Sequence, residues 1–182
     1  RFTKGRAALE AMLASRVRSR EAAVWQTLVA KERLCEELDA LVLSGNATAE
    51  PATARERWAA FPELPSAREK KMLARRDAAL VALSDAAAAA KYVARIEQGA
   101  AARREGLLDL ELLLGMDSPS EVQSQRLALQ VKKLKERFSS AAATGPLTAA
   151  EGLVAWCAQP GVADALDRQR CERIVARVEQ AR

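Results

Sequence analysis

Residues 24–41 read Val-Trp-Gln-Thr-Leu-Val-Ala-Lys-Glu-Arg-Leu-Cys-Glu-Glu-Leu-Asp-Ala-Leu. Val24, Leu28, Leu34, Leu38 and Leu41 recur at spacings of three, four or their sums, the period of one face of an α-helix. No proline precedes Pro51, so the helix extends back to about Ala7 and on to Ser44. Ser44-Gly45-Asn46 supplies the stop, with Gly45 suited to a left-handed C-terminal cap.

The same period governs the rest of the chain. A short helix is expected from Pro51 to Ala60, since the first turn of a helix has no use for the missing N–H of proline. Phe61-Pro62-Glu63-Leu64-Pro65 breaks it, and Ser66 with Glu69 forms a capping box. From there one helix is predicted to about Leu114, with Leu73, Leu80, Leu83, Ala87, Ala90 and Ala94 on one stripe. Gly99 and Gly106 are its weak interior points. Ser118-Pro119-Ser120-Glu121 reads as a second capping box, opening a helix with a core stripe of Leu127, Val131, Leu134 and Phe138. Ala141 to Pro146 is a small-residue loop, and Thr148 with Glu151 is a third box. The helix it opens ends near Ala158, and after Pro160-Gly161 a last helix runs from about Val162 to the end.

Composition agrees. Val, Ile and Thr together number 20 of 182 residues, which is poor material for sheet, while alanine alone supplies 40. The expected fold class is all-α, an elongated helical bundle or coiled-coil-like array of about six helices. The two long helices should make it a particle well above the radius of gyration of a compact chain, about 16 Å.

An internal repeat organises the helices. Aligning residue n with n+98 places Trp58 on Trp156, Pro62 on Pro160 and Arg75 on Arg173. Leu38-Asp39 precedes the first tryptophan and Leu110-Glu111 the second, with one extra helix inserted near 119–138. The expected division is a basic arm, 1–20, a first unit, 21–98, and a second unit, 99–182. In each unit the tryptophan ends a short helix, the proline turns a corner, and the ring fills the elbow. Arg75 and Arg173 either reach an acid in a neighbouring helix or lie on a solvated face.

These residues resemble those of a bacterial family known as domain of unknown function 349, whose members carry several tandem helical copies. Leu34-Cys35-Glu36-Glu37-Leu38-Asp39, Trp58, Pro62 and Arg75 match one copy. Leu110-Glu111, Gly115, Ser118-Pro119-x-Glu121, Arg126, Gln130-Val131, Leu134 and Trp156 are similar to the C-terminal part of such proteins. The likeness spans about residues 30–180. Where the family often has Arg-Phe, this chain has Arg75-Arg76 and Arg173-Ile174, which marks it as divergent. The resemblance implies a bacterial, cytoplasmic, multi-copy helical protein without assigned chemistry.

The residues themselves exclude much chemistry. There is no histidine, hence no histidine base, triad or metal ligand. Three cysteines with no CxxC spacing read as buried apolar residues in a reducing compartment, neither a zinc site nor a disulfide framework. No glycine-rich phosphate loop occurs. Glu36-Glu37 and Asp109-Glu111 are too close in sequence to oppose each other across a cleft. No apolar run is long enough for a membrane span, and residues 1–20 lack the apolar region of a secretory signal. The chain starts at Arg1 rather than Met, as a piece of a longer protein would. No catalytic, cofactor-binding or metal residue is assigned, and no small-molecule substrate is inferred.

Charge supplies the remaining lead. The net charge is +5, and residues 1–20 carry six cations, Arg1, Lys4, Arg6, Arg16, Arg18 and Arg20, against Glu10 alone. The rest of the chain sums to zero. Arg16, Arg18 and Arg20, at spacing two, are expected to fan around a helix, as suits a rod contacting phosphates on several sides. Lys132, Lys133 and Lys135 form a second cationic run, read as a solvated helix face or a phosphate-binding strip. The favoured function is a non-enzymatic helical interaction module, a scaffold that binds a protein partner. The alternative is sequence-independent association with nucleic acid, RNA more than DNA, through the basic arm. The oligomeric state is left open.

Overall fold

The leucine-periodic stretch belongs to one helix of 43 residues, α1 (Phe2–Ser44), about 64 Å long at 1.5 Å per residue. In a computed structural model, residues 2–45, 51–139 and 148–180 are described. Asn46, the expected loop from Ala141 to Pro146 and the side chain of Phe138 lie outside them. Six further helices follow: α2 (Pro51–Ala59), α3 (Ser66–Ser84), α4 (Ala86–Leu113), α5 (Gln123–Ser139), α6 (Ala149–Ala158) and α7 (Ala165–Gln180). A 3-10 turn at Ser120–Val122 precedes α5. The chain is an all-α helical bundle, with no strand among the described residues.

Among the described residues seven helices replace the expected six, because the helix predicted from Ser66 to Leu114 breaks. Asp85 leaves the helical region (φ −135°, ψ 118°), and its carboxylate accepts the Ala88 N–H as the N-cap of α4. That capping bond compensates the backbone donors that a fresh helix start exposes. Across this one-residue hinge α3 and α4 fold back and pack on each other. The break resets the helical phase. Ala87 and Ala90 are therefore exposed, and Tyr92 and Ile96 form the buried face of α4 instead. Gly99 and Gly106 do not interrupt α4. They let α6 come close, since a Cβ on Gly106 would stand 3.4 Å from Trp156 Cδ1.

The caps divide in the same way. Gly45 takes the left-handed conformation expected of it (φ +66°), and Thr148 with Glu151 makes a complete capping box. The other two boxes do not form. Pro65 rather than Ser66 stands at the N-cap of α3, with no side-chain capping bond, and Glu69 is bound instead by Lys31, Trp58 and the Leu64 N–H. Ser118 turns inward and donates to Glu111.

The second half of α1 is the spine of the body, touching α3, α4, α6 and α7. The main core gathers Trp25, Leu28 and Leu34 of α1 with Trp58, Met72, Leu107, Leu110, Leu153, Trp156 and Ile174. A second cluster joins the end of α1 to the α3–α4 hairpin through Leu38, Val42, Ala79, Leu80, Tyr92 and Ile96. Both tryptophans expected in elbows are buried at the ends of their short helices. The expected core stripe of α5 is reversed. Leu127, Val131 and Leu134 are 63%, 43% and 52% exposed, and α5 rests on α4 through Leu129 with Val122 and Leu108. The single long helix expected from Ser66 to Leu114 is absent because Asp85 divides it, and α1 is the longest helix among the described residues.

Candidate functional site

Two constellations of charge are buried in the body. In the first, Lys31 of α1 lies over the Trp58 ring at 4.8 Å and pairs with Glu69 at 2.6 Å. Burial pushes the Glu69 carboxyl up, but the bonds from Lys31, the Leu64 N–H and Trp58 outweigh it and hold the group below the usual range. Eight residues after Lys31, Asp39 receives Arg75 from α3 at 2.7 Å. Arg75 is 1% exposed and also donates to Glu32 and to the carbonyls of Cys157 and Gly161. Burial lowers its affinity for the proton, yet Asp39 and Glu32 more than restore it. Gly161 is required here: its φ of +153° suits no side chain, and a Cβ would meet Arg103 Cδ at 2.9 Å. Of the two sequence readings of Arg75, the acid in a neighbouring helix is the one realised.

The second constellation repeats the pattern. Arg103 of α4 lies over the Trp156 ring at 3.9 Å, and eight residues later Glu111 receives an arginine from α7. That arginine is Arg170, not Arg173. Arg173 is exposed and donates to the Asp117 carbonyl. The two post-proline helices run at different registers against their acids, so a constant offset picks the wrong turn of α7. Pro62 and Pro160 both lie in the corners between short and following helices.

No arrangement for catalysis emerges from these groups. Cys35, Cys157 and Cys171 are buried and unpaired. Burial pushes the thiols of Cys35 and Cys171 up to about 12, and that of Cys157 well above its ordinary 9.0. They are held as thiols, not as nucleophilic thiolates. Among the described residues no group of three His, Cys, Asp or Glu is placed to hold a metal, and no helix is long and apolar enough to cross a membrane. A groove of about 330 Å³ between α4 and α5 is lined by Ala101, Arg104, Glu105, Leu108, Leu129 and Lys132. Its Glu105 is already paired with Lys132.

The thiols make a pH prediction. Their pKa is raised in the folded state, so their contribution is complete below about 9 and lost between about 9 and 12. Each thiol should remove about 1.4 kcal/mol of stability per pH unit across that window. Denaturant midpoints measured under reducing conditions should fall between pH 8 and pH 10. The slope should be shallower in Cys171→Ala.

The surface holds what the interior does not use. Every residue from Leu9 to Arg20 is exposed, and the first buried residue after them is Trp25. Residues 9–20 of α1 thus leave the body as a bare rod. Leu9, Met12, Leu13 and Val17 are 47–56% exposed and follow the spacing three, one, four. Arg6 is paired with Glu10, and Arg16, Arg18 and Arg20 are exposed. The fan expected of these three is only partial. Two residues advance a helix by about 200° and four by about 400°, so Arg16 and Arg20 share a side while Arg18 points away. Two lysines of the second cationic run are paired with carboxylates of α4. Lys132 pairs with Glu105 at 2.6 Å and Lys133 with Asp109 at 2.7 Å, and Lys135 is exposed beside them.

No family model, curated protein or solved structure matches this chain.

Several of the residues that matter escape composition and motif searching. Lys31, Glu32, Tyr92, Arg103 and Arg170 were assigned no role by the sequence and Glu69 only that of a capping residue, and each takes part in a buried or half-buried network. Signals for two of them do exist. Positions 24, 28, 31, 35, 38 and 42 form an unbroken seam of alternating fours and threes in which Lys31 alone is charged. The cation-then-acid spacing Lys31…Asp39 also recurs as Arg103…Glu111.

Proposed function

We propose that the chain is a non-enzymatic helical interaction module that binds a protein partner. The observation that carries the reading is the arm: part of one continuous helix stands clear of the body with an apolar stripe along it. Isolated exposed leucines need no explanation, but a stripe at helical spacing on a segment whose every residue from 9 to 20 is exposed is the mark of a missing partner. The outward stripe of α5 supports the same reading. The body supplies a rigid base, since each buried cation is held by several acceptors at once. A division into an arm, 1–20, and two units, 21–98 and 99–182, is supported by the matching cation-over-tryptophan constellations. The pattern of Leu34 to Asp39 with Trp58, Pro62 and Arg75 supports a place in the bacterial tandem-helical family, and three unpaired thiols support a cytoplasmic setting.

A second reading is favoured by the exposed Arg16, Arg18 and Arg20: association with nucleic acid, blind to sequence. With three arginines, the slope of log affinity against log salt should be no steeper than about −3 for duplex and about −2 for single strands. A photo-crosslinking residue at Leu13, used in the host cell, separates the two. Protein adducts that survive nuclease, and are lost when Val17 is replaced by Asp, support the module. RNA adducts alone replace it with the second reading.

A further inference from the structure

We propose that residues 9–20 of α1 take an acidic amphipathic helix from a protein partner. Its apolar turns would cover Leu9, Met12, Leu13 and Val17, and its carboxylates would meet Arg16 and Arg20. This rests on the reading of the arm as a protein-docking element.

The face is built for one kind of occupant. At 100° per residue, Leu9, Met12, Leu13 and Val17 fall within an arc of about 140°, the width that a second helix covers. The arc continues the seam by which α1 packs into the body, for Val17 stands seven residues before Val24, which packs against the core. A helix laid along the arm would thus extend the body's own packing. Arg16 and Arg20 fall inside the arc on either side of Val17, so the half of the face far from the body is apolar and the half nearest it adds basic groups. Its complement is apolar, then acidic.

The other occupants fit less well. A second copy would bring together two segments of residues 1–20, each carrying +5. A membrane-lying helix keeps its cations off the apolar face and favours aromatics at the boundary. Here two arginines interrupt the face, and residues 6–20 contain no aromatic. Phosphates would engage the arginines and leave four large apolar side chains in water.

The test uses the full chain and a synthetic peptide of three heptads with leucine at a and d and glutamate at e and g. Fluorescence anisotropy should show salt-sensitive binding of this peptide. Lysine at e and g should weaken it at least about tenfold, and serine at a and d should abolish it. L13D/V17D should lose the acidic peptide without a change in thermal midpoint, because both side chains are exposed. R16E/R20E should prefer the lysine peptide over the glutamate one, an exchange that general stickiness does not produce. The inference is overturned if the acidic peptide does not bind, if L13D/V17D still binds it, or if both charge variants bind alike. It is also overturned by arm-dependent dimers in sedimentation, or by tighter binding to a uridine oligomer or to phosphatidylserine vesicles than to the acidic peptide. Protein adducts at Leu13 together with a silent peptide would remove this inference and leave the interaction module standing. Adducts to RNA alone would remove both.

Discussion

Replacing Arg75 with methionine is expected to cost about 3–5 kcal/mol of stability, read as a large fall in denaturant midpoint with an unchanged slope. The size follows from what the guanidinium leaves behind rather than from the ion pair it forms. Its Nε and Nη2 both donate to Asp39 Oδ2, at 3.2 and 2.7 Å. Nη1 donates to Glu32 and to the Cys157 carbonyl, and Nη2 to the Gly161 carbonyl. Methionine fills much of the volume and satisfies none of these acceptors. Asp39 then loses two N–H donors, and Glu32 and the two carbonyls lose one each.

Partial compensation keeps the cost within that range. Asp39 retains the Tyr92 hydroxyl and the Gly161 N–H, both at 2.8 Å, and Glu32 retains Arg103. The pair is also self-limiting. In the double variant Arg75→Met with Asp39→Asn the loss should be smaller than the sum of the two single losses, since neither partner is left as a lone buried charge. A strictly additive cycle would mean that Arg75 acts by filling space.

Which parts of this arrangement the residues announced depends on the physics behind each. Helix content was plain because leucine spacing and proline placement report directly on backbone geometry. The hinge at Asp85 was not, because Ser84-Asp85 carries no glycine or proline and sits in a run of alanines that would continue a helix equally well. An N-cap there is decided by the packing of α3 on α4, which no local signal encodes. The α5 stripe shows a different gap. Leu127, Val131 and Leu134 mark an amphipathic helix correctly, but periodicity states only that a helix has two faces. Which face meets the body is settled by Leu129 and by the pairs of Lys132 and Lys133 with α4. The repeat marked Arg75, but its burial was left open for a related reason. Its neighbours on the buried face of α3 are Met72, Ala79 and Ala82, and alanine marks a buried and an exposed helix face alike. At the arm, the charge was legible and the exposure of its leucines was not, because exposure depends on where the rest of the chain stops.

Trp156→Ala should cost about 3–5 kcal/mol, and more than Trp58→Ala. Both rings are buried and each carries a cation on its face, so loss of packing alone predicts equal effects. The difference lies in the partners. Trp156 Nε1 donates to the backbone carbonyl of Arg103 at 3.0 Å, in the middle of α4, while Arg103 in turn donates to the carbonyls of Trp156 and Gln159. Removing the ring leaves the Arg103 guanidinium over a void and its carbonyl without the indole donor. Gly106, which has no Cβ to fill the space, forms part of the wall. Trp58 Nε1 instead donates to Glu69, which keeps Lys31 and the Leu64 N–H when the ring is gone. The Trp58 ring also lies beneath Arg76, a cation with a second partner in Asp77. Denaturant unfolding of the two variants, with Trp→Phe at each position to retain most of the volume, tests the ordering. Phenylalanine should recover most of the loss at Trp58 and less at Trp156, because only there does a backbone carbonyl depend on the indole N–H. Equal recovery at both positions would show that the two elbows differ in sequence but not in mechanics.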